Sequence, residues 1–579
     1  MPKRKKYLIT NFQKLNYPIG SELIFIDEIL FHLYSPEDKL NYKCSYVNSI
    51  EDAHKIKTST NNIIKTKLKI YRKKLSNLFN FYHKTSNTQK YWGIIIDQFL
   101  IELLEVIIIE IKLIQKVKLK FFQPSQEIIK NKLIFSLADF QYYMLSIDFK
   151  KLLSLLILSE LDSKIVNFKY TKNSKINIQY KKKLFKSVLK FFIRIYINFF
   201  KPVLIINGYI GLKNTVNFFF RSYGKIINVP ENLLFNTVKD KFSLDNNFRK
   251  KIKVEDKDIV DKVFNRIIEK VLPCSFLENF NLIKKDIEKI STKINVIATG
   301  NCHYYSDHYN ILSAEISKKK HGKLLIFQHG GLISKTNQLS IEYLHNTYAF
   351  RTYNFDDSRG LGQHFFYQKK LSSEEIKKRN LLLLLNTNVY FQRNINYNPA
   401  TYTYFDPSLV FFDNLNKLNK QKTILKLSSK PNYEIAKTYW EKKFNNKINI
   451  LPTLSNAKKE NFYKAKLVIL NEVSTALYEL IFLGVPFIMI CNSKVVTSLQ
   501  YKKSFNKKLI KLKFINVWFE DPVKAANFVN SFNKSYSIDD WWNKIQRSKI
   551  FSDFKKYIIV EKKNYLPKIV SELVDLNKI

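Results

Sequence analysis

The chain has 579 residues, which is too long for a protein with a single hydrophobic core. Its residues are 45% hydrophobic and 25% charged, a composition that excludes a disordered chain. Its formal net charge is +48, but only 11 of its 97 basic residues are arginine. A surface selected for nucleic acid relies on arginine for bidentate contacts, so this lysine excess indicates compositional drift and argues against nucleic acid as a partner. Such a surface still attracts nucleotide phosphates, acidic sugars or an acidic membrane leaflet.

The cysteines and the apolar stretches indicate a cytoplasmic protein. The four cysteines form no CxxC pair, so neither a zinc site nor a disulfide framework is expected. The apolar run after the basic start ends at Asn11, which is too short for a signal peptide. The most apolar stretches, residues 91–112, 191–212 and 480–491, are interrupted by charges or too short to span a membrane. We therefore expect a cytoplasmic chain whose closest membrane association is peripheral contact at the inner face of the cytoplasmic membrane.

The first 161 residues are predicted to be mostly helical. Residues 7–12 have the pattern of a short strand, and residues 21–34 that of a helix. From about residue 61, apolar residues recur at three- and four-residue steps, which predicts helix up to residue 120. Pro124 interrupts this pattern, and residues 127–161 resume it. The result is a helical block over about residues 61–161.

Two series of alternating strands and helices follow. The first has strands at residues 202–208, 293–300 and 323–327, a helix at 309–320, and an exposed polar region at 240–258. The second has strands at residues 381–386, 423–427, 448–451, 467–471 and 486–491, and helices at 408–418, 433–443, 456–464, 475–483 and 521–532. Alternation of this kind produces parallel sheets with helical crossovers.

The alternation predicts an α/β protein with two facing Rossmann-like domains, a GT-B-like arrangement, and a large helical insertion in the N-terminal domain. The N-terminal, acceptor-side domain would span residues 1–375, and the nucleotide-sugar-binding domain residues 376–535. A helical tail of residues 536–579 would pack back on the domains. Sites at the strand ends of two such domains imply a cleft between them.

A glycine pair follows the strand at residues 323–327. Glycines let the backbone turn sharply and approach a ligand, and open α/β sheets bind ligands at this end of their strands. His329 is therefore a candidate catalytic residue, although a hydrogen-bonded histidine in a tight turn is the alternative interpretation. Glu342 is a second catalytic candidate because it closes the loop that begins at the pair. The predicted site residues here are Gln328, His329, Gly330, Gly331 and Glu342.

Residues 467–486 predict an anion site, because a strand, a short loop and a helix follow one another. Ser474 or Thr475 caps the helix, and Gly484 ends it. Free backbone N–H groups and two hydroxyls at a helix start suit phosphate. Glu479, the only charged residue of the helix, requires a polar partner, and ribose hydroxyls would serve. A structural glutamate bonded to a backbone group or a lysine is the alternative.

The loop after the strand at residues 293–300 carries His303, Asp307 and His308. The two histidines are five residues apart and would not share a helix face, so a metal site is disfavoured. We expect a loop that contacts substrate hydroxyls, with Asp307 or His308 as general base, while a tyrosine-rich core turn is equally consistent. Lys426, at a strand end of the second series, would suit a diphosphate. No cofactor is expected, because a nucleotide sugar would be a substrate.

Four stretches, in chain order, resemble one protein family. They are Leu78–His83 with Tyr91–Ile95, Asn207–Tyr209 with Val229–Pro230, Gln328–Gly331 with Glu342 and His345, and Ala465–Leu470 with Ser474, Thr475, Glu479 and Pro486. On these motifs the chain resembles bacterial transferases encoded in surface-carbohydrate loci, akin to the two-domain glycosyltransferases. The resemblance implies a transferase of polysaccharide, lipopolysaccharide or O-antigen synthesis, without naming the donor sugar.

Three functions are consistent with the sequence. The leading hypothesis is a glycosyltransferase that moves a sugar from a nucleotide-sugar donor to a glycan or lipid-linked acceptor. A second is a polyol-phosphate transferase with a CDP-linked donor, as in teichoic-acid-type polymerases. A third, a non-catalytic basic module for acidic polymer, predicts a steep salt dependence and no nucleotide binding. A serine hydrolase and a P-loop ATPase are excluded, because neither GxSxG nor GxxxxGK[ST] occurs.

Overall fold

The structure is a computed structural model in which the chain divides into two compact units. One comprises residues 1–58, 330–337 and 366–560, and the other residues 59–329, 338–365 and 561–579. The described residues are 5–10, 15–27, 30–31, 39–117, 125–129, 133–144, 146–162, 166–170, 184–208, 212–235, 244–327, 348–351, 359–360, 381–386, 405–427, 437, 440–441, 443–444, 447–451, 465–471, 475–491, 503–532, 536–558 and 565–578. The two compact units are not a test of the domain boundaries predicted at residues 375 and 535, which stay a prediction.

A three-stranded parallel sheet begins the chain, with β1 (Lys6–Ile9), β2 (Glu22–Asp27) and β3 (Lys43–Asn48) in that order. The strand predicted at residues 7–12 is confirmed for residues 7–9, while Thr10 follows the strand and residues 11–12 lie outside the described residues. The helix predicted at 21–34 is wrong for residues 22–27. In β2, Leu23 and Phe25 are buried and Ile24 between them is half-buried, an alternation that the buried Ile26 does not continue. Two isoleucines among these six residues also favour a strand.

Four helices form the predicted helical block: α1 (Ile50–His83), α2 (Gln89–Gln115), α3 (Leu137–Met144) and α4 (Ile147–Leu161). The helix predicted over residues 127–161 is wrong at its start. Residues 125–129 form β4, which pairs in parallel with β5 (Val166–Tyr170). The strand forms by pairing with a segment far along the chain, Ser125 with Val166, so its own residues show no alternating pattern of apolar and polar side chains.

Asn80 holds the turn between α1 and α2. Its Oδ1 accepts hydrogen bonds from Trp92 Nε1 (2.9 Å), Thr85 Oγ1 (2.9 Å) and Asn87 N (3.0 Å). Nearby, His83 Nε2 donates to the Phe276 carbonyl at 3.0 Å, and burial lowers the pKa of His83 to about 4. The first of the four family-like stretches therefore packs the helical block together.

A six-stranded sheet follows in the second unit. Its elements are α5 (Leu184–Phe200), β6 (Val203–Ile206), α6 (Leu212–Arg221), β7 (Ile226–Val229), α7 (Asn246–Arg249), α8 (Ile259–Val271), α9 (Phe280–Ser291), β8 (Val296–Thr299), α10 (Asp307–Ser317), β9 (Lys323–Phe327), β10 (Tyr348–Arg351) and β11 (Arg359–Gly360). All strand pairs are parallel, in the order β7-β6-β8-β9-β10-β11. The strands predicted at residues 202–208, 293–300 and 323–327 and the helix at 309–320 are confirmed.

The polar stretch at residues 240–258 is only partly exposed. Among its described residues, 244–258, the side chains of Phe248, Arg249, Ile252 and Val254 are buried. The prediction of an exposed region is wrong at these positions. The apolar residues of this stretch are scattered among charged ones, so they show no helical or strand period. The ion-pair partner of Arg249 is Glu278, which follows α8, so burial of Arg249 could not be predicted from neighbouring residues.

A second six-stranded sheet lies in the first unit. Its elements are β12 (Leu381–Asn386), α11 (Phe405–Asp413), α12 (Lys417–Lys422), β13 (Thr423–Leu427), β14 (Asn449–Ile450), β15 (Ala465–Leu470), α13 (Thr475–Leu483), β16 (Phe487–Ile490), α14 (Lys503–Ile510), β17 (Trp518–Phe519) and α15 (Pro522–Asn530). All its pairs are parallel, in the order β14-β13-β12-β15-β16-β17. The predicted α/β class with two parallel sheets is confirmed. The helix predicted at residues 456–464 lies outside the described residues, as does most of the one at 433–443.

Three helices end the chain: α16 (Ile538–Arg547), α17 (Lys549–Ile558) and α18 (Tyr565–Lys578). Helix α18 belongs to the second unit. Its Ile569, Val570 and Leu573 are buried in one cluster with residues of β6, β8 and β9, so it covers a face of the first six-stranded sheet. In the described part of the chain, no helix combines the length and apolarity needed to cross a membrane.

Candidate functional sites at the strand ends

Each six-stranded sheet has one point at which the chain reverses the direction in which it adds strands. In the first sheet this point lies between β6 and β8, and in the second between β12 and β15. The loops that leave two such neighbouring strands diverge and open a crevice at the carboxyl ends, where open α/β sheets bind ligands. We therefore treat the polar side chains at these two edges as the candidate sites.

Asn207 joins three strand ends at the first edge. It follows β6 with a φ of 47°, a left-handed conformation that asparagine tolerates better than most residues. Its backbone N donates to Val229 O, and its carbonyl accepts from Gly300 N, both at 3.2 Å. Its side-chain Oδ1 accepts from Glu231 N at 3.0 Å, and its Nδ2 donates to Tyr305 Oη at 3.0 Å. Asn207 thus fixes the residues after β6, β7 and β8 relative to one another.

Glu231 brings a carboxylate to the same edge. Ser306 Oγ donates a hydrogen bond to Glu231 Oε1, and Cys302 Sγ lies 4.0 Å from Oε2. Burial raises the pKa of Glu231, and the hydrogen bond from Ser306 offsets part of that rise. A carboxylate with a raised pKa at the carboxyl edge of a parallel sheet is suited to take a proton from a hydroxyl.

His303, Asp307 and His308 lie in the chain segment between β8 and the first turn of α10. The His303 ring centroid lies 3.9 Å from that of Tyr304, and the His308 ring stacks on Phe235 at 5.2 Å. The two Asp307 oxygens lie 3.2 and 3.1 Å from the backbone N of Leu137, so this carboxylate links the starts of α10 and α3. The substrate roles of the three residues stay predictions. Among the described residues, no group of three or more His, Cys, Asp or Glu side chains lies close enough together to bind a metal ion.

Asp307 is expected to make stability depend on pH. Burial raises the pKa of Asp307 to about 7. Between about pH 4 and 7 the folded chain therefore holds a proton that the unfolded chain has lost, so this stabilisation is complete below pH 4 and is lost as pH rises through 7. Asp307→Asn keeps an oxygen for Leu137 N, and we expect its urea midpoint to fall less over this range than that of the wild type. Parallel falls would contradict the prediction.

Helix α13 at the second edge has the predicted boundaries. It begins at Thr475 and ends at Leu483. Gly484 follows with a φ of 76°, and Val485 N donates to Leu480 O at 3.0 Å, a hydrogen bond that closes the helix end. The backbone N–H groups of the first turn therefore stand just after the end of β15, where they can bind an anion.

Polar side chains accompany this helix. Glu479 is half-buried on α13, beside the fully buried Tyr478, and Asn471 is buried at the end of β15. Lys426 is half-buried on β13, opposite Leu385 of β12. Of these three polar residues, Lys426 and Glu479 belong to the predicted set, and Asn471 does not. Their roles in ligand binding stay predictions.

The glycine-pair site lies outside the described residues. This holds for Gln328, His329, Gly330, Gly331 and Glu342, and also for Ser474 at the second edge. The strand before the pair, β9, ends at Phe327 as predicted and pairs with β8, the strand that precedes His303. The roles of the glycine-pair residues therefore stay predictions.

Sequence patterns missed Glu231 and Tyr305. Strand β7 has only four residues, Ile226–Val229, and no strand is predicted there, so nothing places Glu231 at a sheet edge. Pro230 was the available signal, because proline cannot continue a hydrogen-bonded ladder and marks where a strand ends. Tyr305 gives no such signal, since its partner Asn207 lies on another strand.

Two six-stranded parallel sheets with polar side chains near their switch points are typical of α/β proteins that bind ligands at strand ends. The chain belongs to the LIC12162 family of transferases, whose family model matches residues 6–573. The chain is thus a transferase, and the predicted resemblance to a transferase family is confirmed. No curated protein matches the sequence. The crystal structure of MurG from Acinetobacter baumannii is similar over 65% of this chain and 99% of the MurG chain, with 10% identity and a TM-score of 0.34.

Proposed function

We propose that this transferase is a glycosyltransferase of bacterial surface-polysaccharide synthesis that works in the cytoplasm. It would move a sugar from a nucleotide-sugar donor to a glycan or lipid-linked acceptor. The observation that carries the proposal is the second six-stranded sheet. Its strands, numbered along the chain, lie in the order 3-2-1-4-5-6 of dinucleotide-binding folds, and α13 starts directly after the strand at its switch point.

On this proposal the second sheet binds the donor. The N–H groups at the start of α13, with the hydroxyls of Ser474 and Thr475, would hold the diphosphate, and Lys426 would neutralise part of its charge. The ribose hydroxyls would donate to Glu479, a half-buried carboxylate on an apolar helix. No metal is needed in this scheme, because helix N–H groups and lysine stabilise the departing phosphate.

The first sheet would supply the acceptor side. Transfer requires the acceptor hydroxyl to give its proton to a base while its oxygen bonds to the anomeric carbon of the sugar. The bond from that carbon to the diphosphate breaks, and the nucleotide leaves with the electron pair. We add Glu231, as a candidate base, to the predicted catalytic residues His329, Asp307 and Glu342. The remaining predicted residues, Gln328, Gly330, Gly331, His303 and His308, would contact acceptor hydroxyls.

A thermal-shift panel tests the proposal. The panel contains sugars linked to cytidine, uridine and guanosine nucleotides, CDP-linked polyols, and an acidic polysaccharide. A ligand that binds only the folded chain raises its melting temperature. We expect a shift with one class of nucleotide sugar. A shift confined to CDP-polyols would support the polyol-phosphate transferase instead, and a shift with acidic polymer alone would support a non-catalytic module.

Glu479→Ala is expected to weaken binding of the active donor by about tenfold or more, since a hydrogen bond to a charged group contributes about 1.5–3 kcal/mol. Calorimetric titration measures the affinity directly. Glu520→Ala is the matched control, because Glu520 is an exposed glutamate of the same unit that pairs with Lys513 at 2.7 Å. Equal donor affinity of Glu479→Ala and the wild type would remove Glu479 from the donor site.

A further inference from the structure

Helices α5 and α6 and the turn that follows α6 carry an exposed aromatic surface. Phe199 is 78% exposed, Phe220 70% and Tyr223 93%. The members of this aromatic surface are Phe191, Phe192, Phe199, Phe200, Phe219, Phe220 and Tyr223. Single exposed apolar residues are ordinary, but a group of large aromatic side chains on neighbouring elements marks an interaction site.

The two helices present these residues side by side. Tyr196 of α5 stacks on Phe200 with ring centroids 4.5 Å apart, and its ring lies 5.9 Å from that of Phe219 on α6. Its hydroxyl donates to the carbonyl of Gly224 at 2.6 Å, which fixes the turn that displays Tyr223. The aromatic surface is therefore continuous across both helices.

The chain segment that carries the aromatic surface contains basic residues and no acidic residue. Residues 163–230 contain 14 lysines and arginines and no aspartate or glutamate. Lys201, Arg221 and Lys225 are exposed beside the aromatic residues. Arg194 is different, because it forms an ion pair with Asp286 at 2.9 Å. Compositional drift towards lysine does not remove every carboxylate from 68 consecutive residues of a chain that has 49 in all.

We propose that the aromatic surface docks on a lipid bilayer that contains anionic lipid. Aromatic rings insert at the level of the headgroups, while exposed lysine and arginine bind the anionic headgroups. A second copy of the chain is the weaker alternative, because an isologous dimer would bring two copies of this basic segment face to face. This inference goes beyond the proposed function and does not depend on it.

Flotation of the full chain with lipid vesicles tests the proposal. Vesicles of phosphatidylcholine with about one-third phosphatidylglycerol are compared with pure phosphatidylcholine at low and high salt. We expect binding to the anionic vesicles only, weakened by salt. The triple variant K201Q/R221Q/K225Q should lose about tenfold or more in affinity, because each cation near such a surface contributes about fivefold. The fourfold variant F199S/F200S/F220S/Y223S, which carries four substitutions, should also lose about tenfold or more, because it removes the rings that insert.

Two controls separate location from general charge. Leu418→Ser with Phe514→Ser removes exposed apolar side chains that are 58% and 77% exposed elsewhere. K250Q/K251Q/K253Q removes three exposed lysines from another part of the same unit. Both controls should bind as the wild type does, and circular dichroism should show equal melting temperatures for all variants. The proposal would be overturned if the chain did not bind anionic vesicles, or if K250Q/K251Q/K253Q lost as much vesicle affinity as K201Q/R221Q/K225Q. Self-association of the wild type that only the fourfold variant F199S/F200S/F220S/Y223S abolishes would also overturn it.

Discussion

Replacing Arg249 with Met is expected to destabilise the folded chain by about 3–5 kcal/mol, because it leaves a buried carboxylate without its cation. The side chains of Arg249 and Glu278 are each only 4% exposed. Arg249 Nε and Nη2 donate to the two Glu278 oxygens at 2.7 and 2.8 Å, and Nη1 donates to Leu272 O at 2.9 Å. Urea unfolding measures the loss as a change in midpoint at constant slope.

A double variant tests the stated cause. Arg249→Met with Glu278→Gln removes both charges, and we expect it to be more stable than Arg249→Met alone. Lys257→Met is the exposed control. Lys257 pairs with Glu255 at 3.1 Å, but their side chains are 66% and 79% exposed, so its loss should cost less than about 1 kcal/mol. Similar losses for Arg249→Met and Lys257→Met would contradict the role assigned to burial.

Replacing Glu231 with Gln is expected to lower kcat by about 100-fold or more, the usual contribution of a general base. Glutamine keeps an oxygen that can accept from Ser306 Oγ but cannot take a proton. Because burial raises the pKa of Glu231, the wild-type rate should fall as pH decreases through that pKa, and the variant should lack this dependence. Steady-state transfer rates with the donor found in the panel, measured across pH, check both expectations.

Glu255→Gln is the control for this experiment, since Glu255 is an exposed glutamate of the same unit. It should leave both kcat and its pH profile unchanged. If Glu231→Gln keeps the wild-type kcat, or loses activity with an unchanged pH profile, Glu231 is not the base. In that case His329 and Glu342 would be the next residues to replace.

Sequence patterns predicted the elements whose causes are local. Helix α13 was predicted at residues 475–483 and is found there, because a serine–threonine pair, an apolar run and Gly484 follow one another in the sequence. Strands β8, β9 and β15 were predicted because they are apolar runs bounded by turn residues. Strand β4 has only two apolar residues and was missed, and β2 was predicted as helix although its two isoleucines favour a strand.

The candidate sites were predictable only in part for a similar reason. Thr475 and Glu479 lie on one helix, so their spacing in the sequence indicated a site. Glu231, Asn207 and Tyr305 follow three different strands, and their contacts arise only because β6 lies between β7 and β8. The positions of both switch points depend on the order of the strands in each sheet. That order cannot be read from a local sequence pattern.

The central claim is that the second six-stranded sheet binds a nucleotide sugar at its switch point. Hydrogen–deuterium exchange of the full chain, with and without the nucleotide sugar found in the panel, tests it most directly. We predict slower exchange on donor binding in the peptides that cover residues 465–483, which contain β15 and the start of α13. Protection confined to residues 203–231 and 296–310, or no protection at residues 465–483, would contradict the claim.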